Sequence, residues 1–200
     1  MFFNRKFILA SNSLSRSFIL KNAKLNFSKI SPECDEEKIK IEVLKRGITA
    51  KTTSLILAKK KAQSISKIKK DIMVVGADTI IKLKNKSINK AKNILEARKK
   101  LMKLSGEKHE IYSSAAVYYN NKLLWSASQK TTVKVRRLSK KEIKQYLLET
   151  DKNILLSVGC FQIEKDGPRI IENIKGDFFN VMGFPLFPFL KFLKKVSIKK

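Results

Sequence analysis

Short apolar runs alternate with longer amphipathic segments along the first half of this 200-residue chain. Residues 7–10 and 72–75 are apolar runs of strand length. Residues 18–20 continue as a helix from a serine-containing turn, because serine accepts hydrogen bonds from the free N–H groups of a helix start. In residues 51–67, apolar side chains recur at the spacing of one helix face, at Leu55, Ala58, Ala62 and Ile65. This order predicts a sheet with helices packed on it.

Hairpins are predicted in the middle of the chain. Residues 79–83 and 86–88 suit one hairpin around Lys84-Asn85. Residues 111–119 and 122–135 suit a second, because Asn120-Asn121 is a favourable hairpin dipeptide.

The remaining segments complete a mixed architecture. An amphipathic helix runs from Ile94 to Leu104 before Gly106, and residues 139–148 form a helix that begins at the capping-box pair Ser139 and Glu142. Strands are predicted at 170–174 and 178–182, and a closing helix at 186–194. We therefore expect an α/β protein with a mixed twisted sheet flanked by helices, folded as a single domain over residues 1–200.

The composition is dominated by a formal net charge of +27. Such a charge attracts polyanions, among them nucleic acids, anionic membranes and nucleotide phosphates. Lysines run through nearly every segment without one dense block, and arginine, the better bidentate ligand of phosphate, is scarce. A lysine-rich solvated surface explains the charge as well, so charge alone does not identify a partner.

Redox and targeting features favour the cytoplasm. Cys34 and Cys160 lie far apart, without the companions that a disulfide framework or a zinc site needs. The apolar run after Arg5 and Lys6 is too short for a secretory signal. The apolar stretch 182–193 contains two prolines and a lysine and is too short to span a bilayer. We therefore expect a cytoplasmic protein without a membrane segment.

Asp78 is the strongest catalytic candidate. It follows the strand at 72–75 and a Gly76-Ala77 step, so it is predicted to stand at the carboxyl edge of the sheet, where α/β proteins build ligand sites. A carboxylate there can hold a divalent metal or orient a water molecule. The alternative is an aspartate that stabilises a turn by bonding to its own backbone.

Two further segments suit phosphate chemistry. The turn 11–16 combines small hydroxyl groups, a helix start that favours an anion, and Arg16, which can clamp phosphate oxygens. Serines that only cap the helix are the alternative. The acidic cluster Asp35, Glu36 and Glu37 can supply the carboxylates that metal-bound triphosphate chemistry needs, although a solvated turn also explains it.

Other reactive side chains show weaker patterns. His109 stands at the predicted entry of a strand, with no cysteine or second histidine nearby, so a surface or hairpin role is expected. Cys160 has no histidine neighbour in sequence and is not predicted to be a nucleophile. Lys61 and Lys90 suit phosphate, but no pattern separates them from the other lysines.

Taken in order, these segments resemble the Maf-type nucleoside triphosphate pyrophosphatases, first named as septum formation inhibitor-like proteins. The resemblance covers about residues 8–193 and rests on the motifs Leu9-Ala10-Ser11-x-Ser13-x-x-Arg16, Asp35-Glu36, Leu57-Ala58-x-x-Lys61-Ala62, Gly76-Ala77-Asp78-Thr79, Lys90, Glu96-Ala97-Arg98, Leu104-Ser105-Gly106, Ser157-Val158-Gly159, and residues 174–185. One such motif is weak, whereas the whole set in family order is specific.

The resemblance implies a Maf or inosine-triphosphatase-like fold with a central cleft, often assembled as a homodimer. It implies hydrolysis of nucleoside triphosphates between the α and β phosphates with Mg²⁺ or Mn²⁺, which removes modified or non-canonical nucleotides. A role in cell division arrest also follows from it, and nucleic acid is not required. In this resemblance Asp78 is the catalytic aspartate and a metal ligand, and Glu36 is a second metal ligand. The phosphate-contacting residues are Ser11, Ser13, Arg16, Lys61 and Lys90.

Base preference is less constrained by the resemblance. Thr79 is similar to members that take thymidine or uridine triphosphates, which usually pair it with a later glutamine. Glu164 is similar to members that act on methylated guanosine triphosphate. Ser15, where many members have an arginine, fits neither pattern, so these three specificity residues leave the base open. Asn12, Leu14 and Ala91 also depart from the usual family residues.

Two alternatives remain at this point. The net charge suits a non-catalytic protein that binds nucleic acid or an acidic division partner, although the chain lacks zinc-finger and RNA-platform motifs. A pyrophosphatase of the inosine-triphosphate kind is the enzymatic alternative.

Overall fold

The computed structural model describes residues 5–198, so residues 1–4 and 199–200 of the predicted 1–200 domain lie outside the described part. The elements in chain order are β1 (Phe7–Ala10), α1 (Leu14–Asn22), β2 (Phe27–Ile30), α2 (Glu36–Lys45), α3 (Ala50–Ser66), β3 (Met73–Leu83), β4 (Lys86–Ile88), α4 (Ile94–Leu104), β5 (Lys108–Tyr119), β6 (Lys122–Val135), α5 (Lys140–Glu149), β7 (Ile171–Lys175), α6 (Phe178–Val181) and α7 (Leu186–Ile198). Two 3-10 helices, Lys152–Leu156 and Gly167–Arg169, lie between α5 and β7.

The strands form one mixed sheet in the order β2-β1-β3-β5-β6-β7, with β4 paired to β3. β1 is parallel to β2 and β3. The remaining pairings are antiparallel and include both predicted hairpins, β3–β4 and β5–β6. The predicted α/β class, with a mixed sheet and flanking helices, is confirmed.

Helices cover both faces of the sheet. On one face, α3 buries apolar side chains against β1 and β3, including Ala62, Ile65, Ile8 and Val74. On the other face, α1 and α7 pack on the alternate strand positions, including Leu20, Phe189, Phe7, Leu9 and Val75. Because successive strand residues point to opposite faces, β1 is apolar at all four positions and buried on both sides.

Gly76 lets α3 approach β3 closely. A Cβ atom at this position would lie 2.3 Å from the carbonyl oxygen of Ala58 and 2.5 Å from the amide nitrogen of Ala62. Both atoms belong to the helix backbone, which cannot move without moving the helix. The missing side chain therefore sets how near the inward face of α3 lies to the strand.

β3 does not end where the sequence predicts. The Gly76-Ala77-Asp78-Thr79 segment lies inside one strand that continues to Leu83, because β5 pairs with it over the whole length from Met73 to Lys82. The predicted edge position of Asp78 is therefore wrong for β3 itself. It holds for the parallel neighbour, since β1 ends at Ala10 opposite Gly76, and Asp78 lies two residues beyond that end.

Residues 178–182 were expected as a strand, and this prediction is wrong. Residues 178–181 form the short helix α6, because Asp177 caps it by accepting a hydrogen bond from the backbone N–H of Asn180 at 2.7 Å. Neither β2 nor α2 was predicted from the sequence. Glu36 and Glu37 of the acidic cluster lie in the first turn of α2. Asp35 precedes that helix and accepts a hydrogen bond from the backbone N–H of Lys38 at 2.9 Å.

His109 lies in the β5–β6 hairpin, where it pairs with Val133, but the surface position expected as the alternative is wrong. Its side chain is 1% exposed, because β5 directs it to the same face as buried Ile111. The His109 ring lies 5.9 Å from the ring of Phe161, between centroids. Neither ring nitrogen has a hydrogen-bond partner within the described part of the chain, and burial lowers the pKa of His109 to about 4.

In the range 5–198, no helix combines the length and apolar character needed to span a bilayer.

Candidate functional site

A cavity of about 320 Å³ opens beside the end of β1. It lies between the turn that starts α1, the helices α2 and α3, the middle of β3, and the segments around residues 153–162 and 181–183. Nine of the ten residues predicted for the site line it, namely Ser11, Ser13, Ser15, Arg16, Glu36, Lys61, Asp78, Thr79 and Lys90. The structure thus brings together residues from five separate segments of the sequence.

Lys61 is the centre of the ionic part of this cavity. Its Nζ lies 2.7 Å from Oδ1 of Asp78 and 3.0 Å from Oε1 of Glu36. The side chains of Lys61 and Asp78 are each 7% exposed, whereas that of Glu36 is 36% exposed. Charges this buried need countercharges, so the two carboxylates stabilise the ammonium and the ammonium stabilises them.

The local fold explains why Lys61 is the lysine that reaches Asp78. Lys61 lies three residues after Ala58 and therefore on the apolar face of α3, between positions that pack on the sheet. The close approach at Gly76 places this face beside β3, and Asp78 follows two residues later on the same side of the strand. The spacing from Ala58 was a signal that sequence reasoning did not use.

Arg16 is buried and held by three protein groups. Its Nε donates to the carbonyl oxygen of Gly183 at 2.9 Å, and its terminal nitrogens donate to Ser11 Oγ and Thr79 Oγ1, each at 3.1 Å. Burial lowers the pKa of Arg16, and the negative charges of Asp78 and Glu36 oppose that effect. The guanidinium stays charged in a protein. Ser13 caps α1 by accepting from the backbone N–H of Arg16, as predicted from the turn.

Electrostatic coupling extends to Glu36 and Lys90. Partial burial alone raises the pKa of Glu36, but the charge and hydrogen bond of Lys61, with the charges of Lys40 and Lys90, outweigh it and lower this pKa. Burial lowers the pKa of Lys90, and the charge of Arg16 adds to that effect. Lys40 also lines the cavity and was missed, although it lies one helical turn after Glu36.

Asp78 has one carboxylate oxygen that no described residue contacts by a hydrogen bond. Its Oδ1 bonds to Lys61, whereas Oδ2 is buried without a hydrogen-bond partner in the described structure. Within residues 5–198, no three His, Cys, Asp or Glu side chains converge as a metal site. Two carboxylates nevertheless fit Mg²⁺ or Mn²⁺ in a substrate complex, because Mg²⁺ is commonly held by one or two carboxylates together with phosphate oxygens and water.

Glu164, the remaining predicted residue, is not among the cavity-lining residues of the described chain. Gln162 lines the cavity instead, and its Nε2 donates to Ser15 Oγ at 3.4 Å. Because Glu164 follows Gln162 by two residues in irregular chain, sequence spacing could not decide which of them faces the cavity.

This α/β fold has a mixed sheet and a cavity lined by clustered cations and two carboxylates, an arrangement that suits a phosphorylated ligand. Residues 6–196 match the family model described as "Maf-like protein", and the chain belongs to this family. A Bartonella quintana relative named 7-methyl-GTP pyrophosphatase is 38% identical over 192 residues, which cover 96% of each chain. A Caulobacter vibrioides relative named nucleoside triphosphate pyrophosphatase is 34% identical over 186 residues, or 93% of each chain.

Among solved structures, a HAM1 protein from Coxiella burnetii aligns at 12% identity with a TM-score of 0.37, covering 67% of this chain and 74% of that one.

Proposed function

We propose that this protein is a nucleoside triphosphate pyrophosphatase, which hydrolyses a nucleoside triphosphate to a nucleotide and pyrophosphate. The observation that carries the proposal is the buried Lys61 ammonium held by Asp78 and Glu36 in a cavity that Arg16 and Lys90 also line. Cations at this density suit a chain of phosphates, and the adjacent carboxylates suit hydrolysis. The names of the two relatives support the same reaction.

The phosphate chain is bound by side chains from several segments. Arg16 and Lys90 both line the cavity and can neutralise phosphate oxygens, and Lys61 has a third N–H beyond its two carboxylate contacts. Ser11 and Ser13 line the cavity at the start of α1, where free backbone N–H groups favour an anion. These groups hold the substrate and offset the charge that builds on the leaving pyrophosphate.

Asp78 acts as the general base. Its carboxylate lines the cavity and accepts a proton from a water molecule while the water oxygen bonds to the α-phosphorus, and the bond from that phosphorus to the bridging oxygen breaks. The electron pair of the broken bond leaves with pyrophosphate. Mg²⁺ or Mn²⁺ bound by Glu36 and Asp78 would supply further charge neutralisation of the phosphate oxygens.

A substrate panel tests the reaction class. The full chain is incubated with Mg²⁺ or Mn²⁺ and with 7-methyl-GTP, dTTP, UTP, ITP and the common nucleotides, and pyrophosphate is measured separately from phosphate. We expect release of pyrophosphate from at least one of them. If every nucleotide stays intact with both metals, the proposal is wrong.

Removing the general base Asp78 should nearly abolish activity. Asp78→Asn keeps the size of the side chain but cannot take the proton, so kcat should fall by roughly a hundredfold to ten-thousandfold. Asp71→Asn is the matched control, because Asp71 is exposed and bonds to Asn120 at the far end of the β3–β5 pair. Equal rates for the two variants would contradict the assigned role.

We propose 7-methyl-GTP as the first substrate to test, because of the name of the Bartonella quintana relative. The competing substrates are dTTP and UTP, because Thr79 and Gln162 both line the cavity and resemble the threonine and later glutamine of family members that take them. The ratio of kcat/KM values in the panel decides between them.

Several expectations from the sequence remain proposals. These are a homodimer, a cytoplasmic location, a role in division arrest and one domain over the full chain. Light scattering of the purified protein tests the first.

A further inference from the structure

A chain of hydrogen bonds connects Arg16 to helix α6 through Thr79 of β3 and Ser113 of β5. Thr79 Oγ1, which accepts from Arg16, lies 3.0 Å from Ser113 Oγ. Ser113 Oγ in turn donates to the backbone carbonyl of Asn180 at 2.8 Å. Ser113 and Asn180 are both 0% exposed, so water does not compete for the bond between them.

The donors available fix the direction of this chain. Ser113 donates its single O–H to the Asn180 carbonyl, so it can only accept from Thr79. The Thr79 hydroxyl donates to Ser113 Oγ at 3.0 Å, because its other acceptor, the Gly183 carbonyl, is further away at 3.4 Å. Thr79 Oγ1 is then free to accept from Arg16. The order of donation therefore runs from Arg16 through Thr79 and Ser113 to Asn180.

Asn180 anchors the far end. Its side-chain oxygen accepts from the backbone N–H of Ser113 at 3.1 Å. Its amide nitrogen donates to the carbonyl oxygen of Ile111 at 3.1 Å and to Thr131 Oγ1 at 2.9 Å. The backbone carbonyl of Asn180 also accepts from the N–H of Gly183 at 3.1 Å, and the Gly183 carbonyl is the group that binds Arg16 Nε. Asn180 thus supports Arg16 along two routes.

We propose that Ser113 and Asn180 are positioning residues that orient the Arg16 guanidinium toward the bound phosphate chain. Three of the five N–H donors of an arginine are engaged by Gly183, Ser11 and Thr79. One N–H on each terminal nitrogen remains without a partner in residues 5–198, so two donors of the guanidinium are available for phosphate oxygens.

The inference rests on the proposed function, because it takes phosphate as the anion that Arg16 binds. It adds that a flexible side chain is held in one orientation by residues outside the cavity. Ser113 and Asn180 are not cavity-lining residues, so they act on the ligand only through Arg16, Thr79 and the Gly183 carbonyl.

Binding of inorganic tripolyphosphate tests this without requiring hydrolysis. Calorimetry, with and without Mg²⁺, compares the wild type with Ser113→Ala, which removes one hydroxyl and is milder than any change of Asn180. Ser66→Ala is the matched control, because Ser66 is also 0% exposed and accepts one hydrogen bond, from Asn121 N at 2.9 Å, away from the cavity. We expect Kd to rise about five- to tenfold in Ser113→Ala and less than about twofold in Ser66→Ala.

A double-mutant cycle separates positioning from general loosening of the fold. Arg16→Lys keeps the charge but has no fork to orient. In that background Ser113→Ala should change Kd by less than about twofold, because the two residues act together. The same fold-change in both backgrounds, an equal effect of Ser66→Ala, or no wild-type binding with or without Mg²⁺ would overturn the inference. The expected binding pattern without hydrolysis of any nucleotide would overturn the proposed function alone.

Discussion

Two buried basic side chains, Lys61 and His109, lie in opposite surroundings. Lys61 contacts two carboxylates, at 2.7 and 3.0 Å, in the wall of the cavity. His109 is 1% exposed on the face of β5 that also carries buried Ile111. Neither of its ring nitrogens has a hydrogen-bond partner in the described chain. The two carboxylates offset the cost of removing the Lys61 ammonium from water, whereas burial lowers the pKa of His109 to about 4 and keeps it neutral at pH 7. The number of partners, rather than the depth of burial, separates the two.

Replacing Lys61, the buried cation that has two carboxylate partners, should have the largest effect on the free energy of unfolding. Lys61→Met leaves the Asp78 and Glu36 carboxylates without their shared partner, and Asp78 is nearly inaccessible to water. The free energy of unfolding at pH 7 should fall by about 3–5 kcal/mol. Urea denaturation measures it. A loss below about 1 kcal/mol would show that water or rearrangement replaces the ammonium easily.

Acidification should destabilise the protein through His109, the buried group that has no partner in the described chain. The pKa of His109 is about 4 in the folded protein, against an ordinary value of 6.5, so the unfolded chain binds more protons between these values. The free energy of unfolding therefore falls as pH decreases from 6.5 to 4, by about 2 kcal/mol between pH 7 and pH 5. Denaturation across this range should show the slope in the wild type and lose this part of it in His109→Leu. Parallel curves would contradict the assignment.

An exposed ion pair should show the smallest effect. Lys134 and Glu172 lie 2.6 Å apart on β6 and β7, with side chains that are 35% and 45% exposed. Solvent screens this pair, so Lys134→Met should change the free energy of unfolding by less than about 1 kcal/mol. The substitution is chemically the same as Lys61→Met, so the pair of variants isolates burial and partner number. Similar losses in both would remove the contrast.

The predictable part of the fold is the part set by local pattern. The β5–β6 hairpin follows from its Asn-Asn turn, and the capping box at Ser139 and Glu142 starts α5 as expected. The long β3 was not predictable in the same way, because its continuation past Asp78 depends on pairing with β5, which is distant in sequence. Residues 178–182 likewise have strand-like composition, but the cap supplied by Asp177 makes them a helix.

The candidate site divides along the same line. Asp78 and the serine-rich turn were recognisable from their position after apolar runs. Lys61 was selected only by resemblance, although its spacing from Ala58 already placed it on the buried face of α3. Ser113 and Asn180 were not identified, because a buried hydroxyl and a buried amide carry no local signal; their contacts join β5 to α6 across 67 residues.

The absent side chain at position 76 has a consequence for how this site tolerates change. Backbone atoms of α3 occupy the space that a methyl group would need, so even alanine would force the whole helix outward. That translation would carry Lys61 away from a carboxylate it now meets at 2.7 Å, while leaving every charged residue of the cavity in the sequence. A variant can therefore retain the full set of ionic groups and still lose their spacing.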